Sequence, residues 1–277
     1  MDRRRQADPF ALGGRHDRTG PGLGEDHGRD RRAGGRARRV ALRGDSGGGR
    51  VNSTIPGWWS KGRVILWVLA IALVAGSLYA AFARAPVEAQ MGVVQKIVYI
   101  HVPSAIVTLL AFGLTFAASI AFLATRVWVW DAVAASSCEV GMVFATIVLV
   151  SGPLWARSAW NTWWTWEPRL TTFLILWLLY GGYHVVRASI AGRAKRTVSA
   201  VLGIILFVNL PIVWKSVEWW RGSLHPRGVT MTGEMRQVLT LSMLAWIVFF
   251  VAAFQERLRL EALREAAESG VAAELPR

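Results

Sequence analysis

The chain has 277 residues, 53% of them hydrophobic, with 15 Trp against 4 Tyr and 11 Phe, a formal charge of +14 and a single Cys. Its mean hydropathy is positive despite a very polar first fifth, which excludes an ordinary soluble domain because the apolar residues are gathered into long runs. One thiol cannot close an intrachain disulfide, and no Cys-x-x-Cys-His segment exists, so a disulfide scaffold and a covalent c-type haem are both excluded.

Residues 1–50 hold 13 Arg and no Lys, mixed with Gly and Asp, and lack any apolar periodicity that could bury a core. This composition predicts a disordered, cytoplasmic tail over residues 1–60. It contains no contiguous apolar h-region, so it is not a cleavable signal peptide. A nucleic-acid-binding arm is the sharper reading of so many arginines. A solvated tail, or a start codon assigned too early, is favoured over it, and no nucleic-acid partner is expected.

From residue 61 to 255 the sequence predicts an all-α membrane protein of six transmembrane helices, each close to the roughly 20 residues that cross the hydrocarbon layer. The first runs from about Val64 to Phe82, and the second from near Ile97 to just before Arg126, with Pro103 in an early turn where a missing N–H does little harm. The third runs from Ala132 to Leu154, with Gly152 and Pro153 expected to mark its exit. The fourth covers Leu170 to Val186, the fifth Val198 to Trp214, and the sixth Val238 to Phe254. Residues 256–277 predict a short charged cytoplasmic segment, with Glu256 to Glu268 as a solvated helix.

Lys and Arg counted in the flanking segments place both termini in the cytoplasm and the loops after the first, third and fifth helices outside. Those outer loops still carry Arg84, Lys96, Arg157, Arg169, Lys215, Arg221, Arg227 and Arg236, positive charge held against the topological preference. That excess points to an anionic ligand on the outer face.

The loop between the third and fourth helices places five indoles in the twelve residues from Trp155 to Trp166. Trp160, Trp163 and Trp164 have the spacing i, i+3, i+4, so a helical turn would lay them on one face as a flat apolar surface. An interfacial aromatic belt is the plainer reading for one or two Trp. Five in one loop, with Trp219 and Trp220 in another on the same side, favour a platform for a planar ligand.

Crossing parity then selects the histidines. His101 opens the second helix and His225 follows the fifth, so four crossings separate them and they share a side, as does the Trp-rich loop. His184 lies about 20 Å down the fourth helix at 1.5 Å per residue, toward the other surface. Two imidazoles across an aromatic surface with arginines at the rim suit a metalloporphyrin, with Arg157 and Arg169 flanking the platform where they could pair with its propionates, Arg169 being equally placed as a membrane-interface anchor. Zinc stays open as a rival metal, although two His without Cys make a weak zinc set. Glu139, inside the third helix, is a functional candidate by default or a helix-end group, and Cys138 reads as a small buried apolar residue. Glu218, beside Trp219, is placed to hydrogen-bond a loop or orient a ligand.

The segments Lys96–Ala105, Gly152–Trp155, Trp160–Thr171 and Val217–Pro226 resemble the haem exporter protein C (CcmC) family of cytochrome c-type biogenesis, within the haem-handling superfamily named for its Trp-Trp-Asp (WWD) loop. The resemblance spans roughly residues 60–255. It implies a bacterial inner-membrane protein that holds haem b non-covalently at the periplasmic face, with His101 and His225 as the two axial ligands. It implies that Trp160, Trp163, Trp164 and Trp166 cradle the porphyrin, with Glu167 standing where the family has Asp and Asn161 where it has Gly. It also implies haem transport partners: the periplasmic haem chaperone CcmE, the ABC transporter ATPase and permease CcmA and CcmB, and the single-span CcmD, all in membrane lipid. No nucleophile–base pair or P-loop is visible, so a transfer component rather than an enzyme is expected. A haem ligase of the same superfamily and a permease for an unrelated solute are the alternatives.

Overall fold

The structure, a computed structural model, describes residues 58–89, 91–220, 224–225 and 231–268. The expected tail up to residue 57, Arg221, Arg227 and the last nine residues lie outside the described residues. Among the described residues the chain is helical and no β-strand forms; the one extended pairing is a bridge between Glu88 and Gly92.

Helix α1, Trp58–Tyr79, begins within the segment expected to be tail and ends in a π-helical turn, Ala80–Arg84, closed by Ala85 N–H donating to the Ala80 carbonyl at 2.8 Å. A short 3₁₀ turn, Val93–Ile97, leads into α2, Val98–Thr125. Arg126 turns the chain with φ +59° and α3, Trp128–Trp160, returns antiparallel to α2. Helices α4, Pro168–Ser189, α5, Gly192–Leu206, α6, Asn209–Trp219, and α7, Gly233–Glu268, complete the bundle.

Among the described residues, five helical stretches are long and apolar enough to cross a membrane: Lys61–Arg84, Val93–Thr125, Trp128–Trp160, Ala194–Trp219 and Gly233–Ala267. The expected fourth crossing, α4, is not among them. Its 22 residues suffice at 1.5 Å of rise each, but Tyr180, Gly181, Gly182, Tyr183, His184 and Arg187 dilute the apolar run.

Three local expectations are corrected by the fold. Gly152 and Pro153 do not end α3, which continues through them to Trp160, because Pro removes one helical N–H and the packing of α3 on α2 holds the rest. The expected fifth span is two helices with a break at Phe207 and Val208. Pro211 cannot donate to the Phe207 carbonyl, which accepts instead from Leu210 N–H at 2.9 Å. The charged C-terminal segment is no separate element: α7 carries it to Glu268 without interruption.

The core lies between α2, α3 and α4, where Phe112 stacks on Tyr180 with ring centroids 3.6 Å apart. A hydroxyl fastens α3 to α2 across this seam: Ser137 Oγ donates to the Ala111 carbonyl at 2.8 Å, while Thr115 Oγ1, 3.0 Å from the Ala111 carbonyl of its own helix, lies 3.3 Å from the Ala134 carbonyl. Gly141 permits the approach, since a Cβ there would lie 2.8 Å from the Ala111 Cβ and 3.0 Å from Phe112 Cε1. Gly141→Val is therefore expected to lower stability by about 1–3 kcal/mol through overpacking. Gly76→Ala in α1, where nothing lies within 4 Å, is expected to gain about 0.5–1 kcal/mol from helix propensity. Thermal unfolding of the two variants in detergent separates close packing from backbone freedom.

At one end of the bundle a charged cavity of about 780 Å³ is lined by Asp131, Glu139, His184, Arg187, Arg257 and Glu261, among others. Arg187 of α4 forks onto Asp131 of α3, with Nη1–Oδ1 at 2.7 Å and Nη2–Oδ2 at 2.8 Å. Glu139 does not stand alone in the span: its carboxylate meets Arg257 of α7 at 2.6 Å, and Arg257 also holds Glu261 at 3.0 Å. Arg196 of α5 ties Glu265 at 2.6 Å. These pairs clamp the ends of α3, α4, α5 and α7.

Candidate functional site

His101 is the fourth residue of α2, and His225 follows α6 and its flanking loop. The structure brings them together: both line the same two neighbouring cavities, of about 260 Å³ and 180 Å³. Along α3 the charged cavity reaches Glu139 and the larger histidine cavity begins at Val148, about 14 Å further at 1.5 Å per residue. The larger cavity runs down an apolar wall of Ile106, Leu109, Phe173 and Val213 and is closed by Trp164, Arg169 and Trp214. Met91, Gln95 and Trp155 complete the smaller one.

The Trp-rich segment is built differently from the helical turn its spacing predicts. Asn161 takes φ +55° and ends α3 there, so Trp160 is the last helical residue and Trp163 and Trp164 lie in an irregular connection. Arg157 reinforces that stop by donating from Nη1 to the Asn161 carbonyl at 2.8 Å and to its side-chain oxygen, while its guanidinium lies 6.0 Å from the Trp163 ring centroid. Trp160 meets Trp155 edge-on at 4.9 Å, and Trp164 meets Trp166 edge-on at 5.8 Å. Of the four indoles expected to form the cradle, Trp164 lines the cavity beside the histidines; Trp163 and Trp166 are exposed, and Trp160 is half-buried against Trp155. Trp219 and Trp220, at the end of α6, are exposed and do not line either cavity.

Glu167 is buried and is the N-cap of α4: its Oε1 accepts from Leu170 N–H at 3.0 Å, and Pro168 occupies the first helical position. The cap fixes the start of the helix and with it the direction of Arg169, whose Nη2 donates to the Trp214 carbonyl at 2.9 Å. Arg169 Nε and Trp164 Nε1 are buried with no hydrogen-bond partner among the described residues. Two unpaired N–H donors and two imidazoles around an apolar cavity fit an amphipathic, anionic, metal-bearing ligand better than a purely apolar one.

Other expected candidates lie elsewhere. Glu218 pairs with Lys215 at 2.7 Å on the exposed face of α6. His184 faces the charged cavity, with Nε2 3.4 Å from Cys138 Sγ. Among the described residues no group of three or more His, Cys, Asp or Glu is arranged to hold a metal ion, so a protein-only zinc site gains no support there. Sequence reasoning counted Trp155 among the indoles of the ligand platform but assigned no site role to Ser151, Gln95 and Trp214. Trp155 and Ser151 were legible in one respect, because they are four apart and share the helical face turned to His101. Nothing in the sequence singles out Gln95 or Trp214.

A bundle of membrane-length helices with two histidines, indoles and an arginine around paired cavities at one end defines a multi-pass membrane protein with a built ligand site. The chain belongs to the Heme exporter protein C (CcmC) family, whose profile matches residues 54–272. It is 34% identical over 220 residues to the Heme exporter protein C of Bradyrhizobium diazoefficiens, covering 75% of this chain and 82% of that one. It is 35% identical over 173 residues to the Heme exporter protein C of Escherichia coli K12, covering 61% and 68%. A putative cytochrome c biosynthesis ccmC-like mitochondrial protein of Marchantia polymorpha is 30% identical over 182 residues, covering 66% and 76%.

Proposed function

We propose that this chain binds haem b non-covalently at the periplasmic face of the bacterial inner membrane and delivers it to a periplasmic haem chaperone for c-type cytochrome maturation. The observation that carries the reading is the convergence of His101 and His225 on the same cavities, beside Trp164 and Arg169. Haem is cargo here. His101 and His225 are the iron ligands, Trp164 and Trp155 pack the macrocycle, and Arg169 offers its unpaired Nε–H to a propionate. The exposed Trp163 and Trp166 leave one side of the site open to an acceptor protein, which suits handover rather than storage.

Six crossings are part of the same reading. The stretch Ala194–Trp219 and α3 both end at the histidine cavities, which supports α4 as a return crossing between them. With the basic loop after α4 on the cytoplasmic side, both termini are cytoplasmic and the Trp-rich loop is periplasmic. The partners are CcmE as acceptor, the ABC-type subunits CcmA and CcmB as the energy source, and the small CcmD. The chain is read as a transfer component rather than an enzyme, a reading supported by the ligands and packing surfaces that its cavities offer.

Haem transfer tests this reading. Purified protein loaded with hemin and mixed with the apo form of the periplasmic chaperone is expected to lose its haem absorption as the chaperone gains it. Haem that stays on this chain, with the complex formed, contradicts delivery.

A further inference from the structure

Ser151 of α3 is buried, and its hydroxyl meets neighbours of two kinds, backbone carbonyls of its own helix, the farther being Val148 at 3.4 Å, and an imidazole nitrogen. The oxygen is 2.6 Å from the carbonyl of Ile147, one turn back on the same helix, and 2.9 Å from Nδ1 of His101 on α2. A hydroxyl carries one proton. A carbonyl can only accept, so that proton goes to Ile147, and toward His101 the serine oxygen is left as an acceptor. His101 must then donate from Nδ1–H. In a neutral imidazole with Nδ1 protonated, the electron pair available to a metal is on Nε2.

Gly152 follows Ser151 and faces the same ring: a Cβ built there would lie 3.5 Å from His101 Cε1, at ordinary van der Waals distance.

We propose that Ser151 is the positioning residue of His101: by accepting Nδ1–H it fixes the tautomer that presents Nε2 to haem iron and raises the ring's basicity as a ligand. This inference rests on the haem-binding reading above. Outer-shell hydrogen bonds to ligating histidines act in this way, and their loss typically costs about 10–100-fold in metal affinity.

The test compares Ser151→Ala with Ser151→Thr in the full-length protein in detergent, titrated with hemin and then poised through reduction. Ser151→Ala, which keeps the helix and removes the acceptor, is expected to bind haem about 10-fold more weakly and to shift the haem midpoint potential upward, because a less basic imidazole stabilises ferric iron less. Ser151→Thr, which keeps the hydroxyl and its bond to the preceding turn, is expected to restore both to wild-type values. A purely structural serine would alter thermal stability without moving the potential. If wild type binds hemin in a spectrum that His101→Ala abolishes, yet Ser151→Ala keeps wild-type affinity and potential, this inference fails and the haem reading stands. If wild type binds no hemin, both fail.

Discussion

Arg187→Ala is expected to destabilise the protein by about 3–5 kcal/mol, while Arg187→Met combined with Asp131→Leu is expected to recover most of that loss. Both side chains are buried, with 10% and 7% of their surfaces exposed, and their two parallel bonds leave little for water to replace. Removing the guanidinium strands the Asp131 carboxylate between helices, with Arg196 Nε at 3.8 Å as its remaining close cation. The desolvation penalty of a buried carboxylate left with only that longer contact exceeds the value of the pair itself, which is why an apolar pair costs less than half a pair. Thermal unfolding of the two variants in matched detergent, together with their steady-state amounts in the membrane, measures the difference. A single variant as stable as wild type would mean the clamp at this end carries no load. Haem affinity in the surviving folded fraction should be unchanged, because the clamp at Asp131 lies about 25 Å along α3 from Val148, where the larger histidine cavity begins.

The second large effect concerns the cavities themselves. His101→Ala and His225→Ala are each expected to weaken haem binding by more than ~100-fold, about 2.7 kcal/mol. Each also opens space in a wall shared by both cavities. His184→Ala serves as the control, since His184 faces the charged cavity and bonds Cys138. Trp164→Ala tests the packing half of the same site and should weaken binding while leaving His101 and His225 in place.

The elements that sequence reading recovered are those governed by a single strong signal. Hydropathy alone locates α1, α2, α3 and α7, because an apolar run of membrane length has few other destinations. Counting crossings brings His101 to His225 without any knowledge of contacts, and the shared cavities agree with it. What escaped depended on competition between local and tertiary terms. Pro153 reads as a stop, yet α3 passes through it because packing on α2 outweighs one missing hydrogen bond. Trp160, Trp163 and Trp164 have helical spacing, yet Asn161 in the left-handed region ends the helix first, a conformation Asn adopts more readily than most residues. Pro211, in contrast, breaks the α5–α6 stretch, where the Phe207 carbonyl finds a partner three residues on.

Glu167 shows how one residue can bear two readings. Position in a Trp-rich loop marks it as a ligand contact; an acidic residue directly before Pro and an apolar run marks it as a helix N-cap, and the hydrogen bond to Leu170 N–H shows the cap. Its influence on the site then passes through Arg169, two residues on. The Asp131–Arg187 pair was equally hidden, because each residue sits at the end of a different apolar run and only the antiparallel return of the chain brings the two together.

The most direct measurement is the absorption spectrum of hemin-titrated protein, recorded for wild type and for His101→Ala and His225→Ala alone. Wild type is expected to give a low-spin, six-coordinate haem, and each single variant a five-coordinate or absent spectrum. Wild type that stays colourless, or a low-spin spectrum that survives loss of either histidine, would contradict a site built on this pair.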